Sequence, residues 1–242
     1  MAERIDDLQI NGYRIIQNPE LFCFGADAVL LSDFAKAGEG DRVIDLCTGN
    51  GVIPMLMEAK TPAKSFVGLE IQEESAELGR RSALLNGISD KVKIVTGDVK
   101  EAVDIFGASS FEVVTVNPPY MNENHGIVND FSPMAIARHE LLCTLEDIIA
   151  QSARLLVPGG KFYMIHRPHR LSDIFRYLCE YRIEPKRMRF VHPFADKEPT
   201  MVLIEGSRGG KSHLRVEPPL VMYRAVNEYT DEILKIYGRD RE

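Results

Sequence analysis

The hydrophobic pattern of the chain alternates between short apolar runs and longer amphipathic stretches from about residue 40 onwards. Apolar runs of this length suit buried strands, and the stretches between them have helical spacing, which predicts a doubly wound, mostly parallel α/β sheet. Strands are predicted at Arg42–Cys47, Ser65–Glu70, Val92–Thr96, Phe111–Val116 and Lys161–His166. Helices are predicted at Gly51–Ala59, Glu73–Asn86, Glu101–Ile105, Leu145–Leu156 and Leu171–Tyr181.

Two later apolar segments, Lys186–His192 and Thr200–Glu205, have no helix between them. They predict an antiparallel pair at one side of the sheet, which gives seven strands with an antiparallel edge strand. Near the N-terminus, alternating residues around Asn11-Gly12 predict a hairpin with a type I′ turn, followed by a helix over Asp27–Lys36. We expect one structural unit, with residues 1–40 as an extension packed on a core of residues 41–242.

The composition is that of an ordinary soluble globular protein. The 242 residues are 45% hydrophobic and 27% charged, and no apolar run approaches the ~20 residues that a membrane span needs. The four cysteines, at 23, 47, 143 and 179, lie far apart in the chain, which predicts reduced thiols and neither a disulfide framework nor a zinc site. We therefore expect a cytoplasmic protein without a metal.

Charge is distributed unevenly along the chain. Residues 1–150 hold 12 basic and 24 acidic side chains, a balance of −12, whereas residues 151–242 hold 17 and 12, a balance of +5. Such an asymmetry favours a protein that meets a polyanion with one face. A chance imbalance on a solvated surface is an equally acceptable interpretation.

One predicted strand runs directly into Asn117-Pro118-Pro119-Tyr120. Pro118 ends the strand and holds Asn117 extended, at the carboxyl end of a strand where open α/β sheets bind ligands. The corner would present the Asn117 amide oxygen, the Pro118 carbonyl and the Tyr120 ring, which together suit a planar NH2 group. Taken alone, the pattern fits an Asn-Pro turn equally well.

A glycine loop follows the first core strand. Gly49 and Gly51 allow the backbone to approach a ligand at the N-terminus of a helix. Glu70 ends the next strand and can accept from ribose hydroxyls, Asp98 follows the third and can accept from an adenine amino group, and Asp45 can orient the loop or meet a cation. Acids at three successive strands suit a ligand that is cationic overall.

These motifs resemble those of class I S-adenosylmethionine-dependent methyltransferases, and the Asn-Pro-Pro-Tyr tetrad is typical of the branch that methylates planar exocyclic or amide nitrogens. Phe24–Leu31, Ala137–Glu140 and Met201–Gly206 are similar to segments of the tRNA adenine-N6 methyltransferases that act beside the anticodon of a valine tRNA. The similarity extends from about residue 8 to residue 238. Cys47 departs from the pattern, because the family usually has glycine there.

The resemblance implies a Rossmann-like fold, S-adenosyl-L-methionine as cofactor, and methyl transfer to N6 of adenosine 37 in tRNA(Val), bound through its anticodon stem-loop. It implies catalytic roles for Asn117, Pro118, Pro119 and Tyr120. It implies cofactor binding by Phe24, Asp27, Asp45, Thr48, Gly49, Gly51, Glu70, Ile71, Asp98, Val99 and Asn117. RNA contacts are predicted at Arg138, His139, Arg167, His169, Arg208 and Lys211.

Other functions stay open on the sequence alone. A protein-glutamine N5-methyltransferase would hold a planar NH2 group in the same way, although such enzymes usually carry a separate N-terminal helical domain. A base in DNA or ribosomal RNA could accept the methyl group by the same chemistry. A non-catalytic RNA-binding protein would use only the basic C-terminal half. Ser207–Ser212 imitates the end of a Walker A motif but lacks its first glycine and its strand–helix context, which excludes nucleotide hydrolysis.

Overall fold

The computed structural model describes residues 3–21, 23–118 and 143–239. Its strands are β1 (Arg4–Asp7), β2 (Arg14–Gln17), β3 (Arg42–Leu46), β4 (Ser65–Glu70), β5 (Val92–Thr96), β6 (Phe111–Val116), β7 (Leu156–His166), β8 (Ile183–His192), β9 (Met201–Arg208), β10 (Arg215–Val216), β11 (Leu220–Val221), β12 (Tyr223–Ala225) and β13 (Glu228–Tyr229). Its α-helices are α1 (Ala26–Phe34), α2 (Val52–Lys60), α3 (Glu73–Leu85), α4 (Ala102–Phe106), α5 (Leu145–Leu155), α6 (Leu171–Glu180) and α7 (Asp231–Ile236). Short 3-10 turns lie at Val99–Glu101 and Pro168–Arg170.

A nine-stranded sheet organises the described residues, in the order β10-β8-β9-β7-β6-β3-β4-β5, with β11 also paired to β8. Strands β3 to β7 pair in parallel, which confirms the predicted doubly wound arrangement. All seven strands expected from the sequence are present. The two additional strands are two residues each, too short to leave an alternating pattern in the sequence.

The antiparallel strand lies inside the sheet and not at its edge, contrary to the sequence prediction. Strand β9 pairs antiparallel with both β7 and β8. After β7 and α6, the chain crosses over to β8 and leaves one position open, and the connection through Pro193 then brings β9 back into that position. Strand β8 consequently runs in the same direction as β7, and β10 and β11 form the edge beyond it.

A buried hydrophobic cluster covers each face of the sheet. One cluster joins the hairpin to α1, α2, α3 and α7, and the other holds α4, α5 and α6. Successive strand residues point to opposite faces, so Val43 belongs to the first cluster and Ile44 to the second. Helix α5 starts with a capping box formed by Thr144 and Asp147. Among the described helices, none has the length and apolar character needed to cross a bilayer.

The N-terminal hairpin contains the predicted type I′ turn. Asn11 and Gly12 have φ values of 50° and 68°, and the Tyr13 amide donates to the Ile10 carbonyl at 2.8 Å. The second strand is held on α3, where the Ile16 amide donates to Ser82 Oγ at 2.9 Å. Contacts of this kind, together with the packing of α1 on α2, hold the hairpin and α1 against the rest of the described structure.

Candidate active site at the carboxyl edge of the sheet

Strand register gathers the predicted ligand-binding residues at one edge. In the parallel ladders, Leu46 pairs with both Leu69 and Val116. The residues that follow these three positions are Cys47, Glu70 and Asn117, so they lie side by side at the carboxyl ends of β3, β4 and β6. This edge is where a parallel sheet with helices on both faces leaves a crevice for ligands.

The loop after β3 makes repeated left-handed turns. Cys47, Gly49 and Gly51 have φ values of 58°, 58° and 77°. Such values strain any residue with a Cβ, which explains why glycine is usual at the position of Cys47. A Cβ on Gly51 would lie 2.8 Å from Ile94 Cδ1, so this position also lacks room for a side chain. The loop ends at the N-terminus of α2, where the first backbone amides have no partners within the helix.

Glu70 supports this loop as well as facing it. The buried carboxylate accepts from the Gly49 amide at 2.8 Å with one oxygen and from the Gln72 amide at 2.9 Å with the other. Each carboxylate oxygen has two lone pairs, so both retain capacity for a ligand hydroxyl. The sequence predicts that Glu70 binds a ligand hydroxyl, but it gives no sign that Glu70 also holds the Gly49 amide of the loop.

Asp45 lies fully buried beneath the loop with one oxygen unsatisfied. Its Oδ1 accepts from Thr115 Oγ1 at 2.6 Å, while Oδ2 and the nearby buried Thr48 Oγ1 have no hydrogen-bond partner among the described residues. Burial raises the pKa of Asp45 to about 7, against the opposing effect of the Thr115 hydroxyl. Orphaned buried polar atoms at a glycine loop are what a polar ligand group satisfies.

Cys47 lies beside Cys143, which is almost a hundred residues away in the sequence. The Cys47 thiol hydrogen bonds with that of Cys143, and this contact and burial hold the pKa of Cys47 well above its ordinary value. Neither cysteine forms a disulfide in the described structure. The sequence gives no sign of their contact.

Asn117 is held by a carboxylate from α1. Its Nδ2 donates to Asp27 Oδ2 at 2.9 Å, and Asp27 Oδ1 accepts from the Ala28 amide at 2.9 Å. The amide group is planar, with an NH2 group on one side and an oxygen on the other, so fixing the nitrogen on Asp27 also fixes the direction of the oxygen. Pro118 follows in a buried position, where its ring prevents the strand from continuing.

Residues 13–178 match the family model of the methyltransferase small domain. The chain belongs to this family. Two similar relatives are each named tRNA1(Val) (adenine(37)-N6)-methyltransferase. That of Porphyromonas gingivalis is 28% identical over 88% of this chain and 86% of its own length, and that of Aeromonas hydrophila is 24% identical over 88% and 87%. A Streptomyces pristinaespiralis protein, 28% identical over 54% of this chain and 46% of its own length, is named 4-amino-L-phenylalanine/4-methylamino-L-phenylalanine methyltransferase.

Solved structures show the same fold. A predicted O-methyltransferase of Agrobacterium tumefaciens superposes with a TM-score of 0.72 at 22% identity, over 89% of this chain and 98% of that one. Geranyl diphosphate C-methyltransferase of Streptomyces coelicolor, in complex with S-adenosyl-L-homocysteine, gives 0.56 at 16% identity over 76% and 75%. The Rossmann-like methyltransferase fold expected from the sequence is thereby confirmed.

The residues at this edge of the methyltransferase fit S-adenosyl-L-methionine. The orphaned oxygen of Asp45 suits a cationic ligand, and Glu70 has acceptor capacity for ribose hydroxyls. Asp98 follows β5 and caps the next turn by accepting from the Lys100 amide at 2.9 Å. Ile71 follows Glu70 directly, and Val99 is buried next to Asp98. Phe24 packs against the first hydrophobic cluster near Asp27.

The structure divides the predicted RNA contacts between the two ends of the sheet. Arg167 and His169 follow β7 at the same edge as Asn117, where Arg167 Nη1 donates to the Thr200 carbonyl at 3.1 Å. Arg208 ends the antiparallel β9 at the opposite edge, and Lys211 follows it there. The Arg208 guanidinium is engaged by Ser109 Oγ at 2.9 Å and by the Leu156 carbonyl.

Arg208 and Lys211 therefore lie at the edge of the sheet opposite Asn117. The physical reason is the direction of β9, which carries its last residues away from the carboxyl edge. The predicted residues Pro119, Tyr120, Arg138 and His139 lie outside the described residues.

His166 is the buried histidine at this edge. Burial, followed by the charge of Arg170, lowers the pKa of His166 to about 4, so the imidazole is neutral at physiological pH. Its Nδ1 accepts from the Arg167 amide at 2.7 Å. Across residues 3–21, 23–118 and 143–239, no three histidine, cysteine, aspartate or glutamate side chains come together as metal ligands.

Proposed function

We propose that this methyltransferase transfers a methyl group from S-adenosyl-L-methionine to the exocyclic N6 of an adenine in RNA, at adenosine 37 beside the anticodon of a valine tRNA. The observation that carries the proposal is the Asn117 amide, fixed by Asp27 next to the cofactor loop. The relatives named for this reaction support the choice of substrate, since they match most of the chain. Action on tRNA is also the reason for expecting a cytoplasmic location.

The cofactor half of the proposed site is the edge formed by β3, β4 and β5. Glu70 would accept from the ribose hydroxyls, Asp98 would accept from the adenine amino group, and Asp45 would meet the cationic end of the molecule. When bound, the cofactor supplies an activated methyl group. The protein then has to place an acceptor nitrogen in line with that methyl group, since positioning alone accelerates such reactions strongly.

The acceptor half is the corner at the end of β6. An adenine amino nitrogen is a weak nucleophile, because its lone pair is delocalised into the ring. The Asn117 amide oxygen and the Pro118 carbonyl would accept both N–H bonds of this group, favour a pyramidal nitrogen and stabilise the positive charge that develops there. Asp27 would serve as a positioning residue, because its carboxylate holds the amide nitrogen of Asn117 and so leaves the amide oxygen to face the amine.

The acceptor base must leave the RNA stack to reach this corner. A base in an anticodon loop is already unpaired, so the free-energy cost of extruding it is small. Tyr120 would stack on the base, a contact that is typically about 1–3 kcal/mol. The proton can leave after methyl transfer, so the neutral His166 is not required as a base.

A glutamine amide is the main competing acceptor for the same corner. The relatives' names distinguish the two, since they describe an amino group attached to an aromatic ring, in adenine or in 4-amino-L-phenylalanine. This shared acceptor chemistry favours adenine over a protein amide.

The proposal is tested by incubating the protein with methyl-labelled S-adenosylmethionine and a synthetic anticodon stem-loop. We expect label in N6-methyladenosine at position 37. The control is the same stem-loop with purine riboside at that position, which lacks the amino group and should remain unlabelled. Equal labelling of the control, or transfer to a glutamine-containing peptide in preference to the stem-loop, would contradict the proposal.

A further inference from the structure

Four aromatic rings form a continuous stack near the C-terminus, which we name the aromatic ladder: Phe194, Tyr223, Tyr229 and Tyr237. The ring centroids of Phe194 and Tyr223 are 5.7 Å apart with a tilt of 37°. Tyr223 and Tyr229 stack at 4.9 Å and 18°, and Tyr229 and Tyr237 stack at 5.6 Å and 21°. All four side chains are partly exposed, so the ladder is a surface feature and not part of the buried core.

The ladder lies at the same end of the sheet as Asn117. Strand β8 runs parallel to β6 and ends at His192, two residues before Phe194, and β11 ends at Val221, two residues before Tyr223. In the sheet order β8 stands three strands from β6, a separation of about 14 Å at the usual strand spacing. A few nucleotides of a single-stranded loop can bridge this distance.

The inner end of the ladder lies beside the helix that carries the positioning residue of the proposed site. Helix α7, which leads into Tyr237, packs on α1, which carries Asp27. Burial raises the pKa of Tyr237 to about 12, and the negative charge of Asp27 contributes to this rise. The ladder thus extends from the neighbourhood of Asp27 outwards to Phe194.

Backbone hydrogen bonds fix the outer end of the ladder. The Tyr223 amide donates to the Pro193 carbonyl at 2.9 Å, and the Lys197 amide donates to the Phe194 carbonyl at 3.1 Å. His192 Nδ1 lies 2.6 Å from the Lys197 carbonyl and closes the same turn. The position of Phe194 is therefore set by the protein itself.

Phe194 is the outer terminal ring of the ladder, as Tyr237 is the inner one. Tyr223 and Tyr229 each have a ring on both sides, whereas Phe194 has one ring contact among the described residues. The nearby charges are largely balanced, because Arg224 pairs with Glu228 and Asp231, while Asp196 and Lys197 pair with each other. A partly exposed aromatic ring on a surface with little net charge suits a nucleobase better than a phosphate.

We propose that Phe194 is the stacking platform for an unpaired base of the RNA loop that flanks the methylated adenine, and that the aromatic ladder holds this platform at a fixed distance from Asn117. The inference rests on the proposed RNA substrate and identifies a further contact that selects it. Stacking on an aromatic ring is tolerant of base identity, so Phe194 would recognise an exposed loop rather than a particular sequence.

The chain contains no tryptophan, which makes a direct test available. Phe194→Trp introduces a single indole that retains a stacking face, whereas Phe194→Leu keeps an apolar side chain without one. Matched controls are Phe106→Trp and Phe106→Leu, since Phe106 is also partly exposed and in contact with one ring, that of Phe111, but lies at the opposite edge of the sheet. The probe is the synthetic anticodon stem-loop.

We expect Phe194→Leu to raise the Kd for the stem-loop at least about fivefold and to leave the Kd for S-adenosylmethionine unchanged. Phe194→Trp should bind within about twofold of wild type, and the stem-loop should quench its emission. An abasic nucleotide at the stacked position should abolish that quenching. Neither Phe106 variant should alter RNA affinity, and the Phe106→Trp emission should not respond.

Wild-type RNA affinity in Phe194→Leu, or an unresponsive indole in Phe194→Trp while RNA is bound, would overturn the role of Phe194. Failure of the proposed function is recognised separately, because wild-type protein would then leave the stem-loop adenine unmethylated. If wild type does not bind the stem-loop at all, the platform is overturned together with its substrate.

Discussion

The two halves of the carboxyl edge are built in different ways. On the cofactor half, Asp45 and Glu70 are buried, and Glu70 is tied to the backbone amides of Gly49 and Gln72. On the substrate half, the Asn117 amide is held by the Asp27 side chain, and partly exposed cations and aromatic rings lie beyond it. A small cofactor of constant shape suits a site formed by the fold itself, whereas a large RNA suits a surface assembled from several elements.

The largest effect that separates the two halves is expected from Asn117→Ala. This change removes an acceptor needed most when the amine gains positive charge, so single-turnover methyl transfer should fall by about 10²–10³. Cofactor affinity, measured by titration, should remain near wild type. Transfer at the wild-type rate would reduce Asn117 to a turn residue at the end of a strand.

The reciprocal change on the cofactor half is Glu70→Ala. It removes the proposed ribose acceptor, with hydrogen bonds typically about 1.5–3 kcal/mol each, and also releases the Gly49 amide. Cofactor affinity should therefore weaken well over tenfold by calorimetry. Glu70→Gln, which retains one acceptor oxygen, should lie between alanine and wild type. Unchanged affinity in Glu70→Ala would place the cofactor elsewhere.

The buried acid of the cofactor half also predicts a pH dependence of stability. The pKa of Asp45 is about 7 in the folded protein and about 4 when unfolded, so the folded state binds this proton more tightly. Its contribution to the free energy of unfolding is full below pH 4 and is lost as pH rises towards 7, at up to about 1.4 kcal/mol per unit.

Asp45→Asn removes this titration while keeping a polar side chain of the same size. Urea unfolding of both proteins at pH 5 and pH 7 should show that the variant loses less stability than wild type across this interval. Parallel losses in the two proteins would mean that Asp45 does not titrate there.

Asp27 lies between the cofactor half and the substrate half of the site, and its role can be assigned to either by measurement. The family resemblance assigns Asp27 to the cofactor, and the structure shows that its carboxylate also accepts from Asn117. A positioning role predicts that Asp27→Ala lowers kcat about tenfold while the cofactor Kd remains unchanged, and that Asp27→Asn recovers part of the rate through its amide oxygen. A rise in the cofactor Kd with kcat preserved would return Asp27 to the cofactor half.

The smallest expected effect is on RNA affinity, and it compares a cation at the carboxyl edge of the sheet with one at the opposite edge. Arg167→Ala should weaken stem-loop binding a few-fold and reduce the salt dependence of log K by about 0.7–0.9, the value for one phosphate contact. Arg208→Ala is the matched control, because its guanidinium faces the opposite edge and holds the Leu156 carbonyl. Equal effects on RNA affinity would show that the RNA reaches both edges.

The sequence predicts those parts of the molecule that depend on local patterns. Apolar runs predict the buried strands, and the Asn11-Gly12 pair predicts a type I′ turn. The proline after Asn117 predicts the corner at the end of β6. The Asp27–Asn117 and Cys47–Cys143 contacts join distant positions and leave no local pattern. The edge at which Arg208 lies also could not be predicted, because it depends on the direction in which β9 enters the sheet.

The most direct test of the cofactor and substrate halves is a crystal structure of the protein with S-adenosyl-L-homocysteine. We expect the ribose hydroxyls within about 3.2 Å of the Glu70 carboxylate, the adenine beside Asp98 and the sulfur facing Asn117. A ligand bound away from the β3–β5 edge, with Glu70 contacting only its two backbone amides, would contradict this expectation.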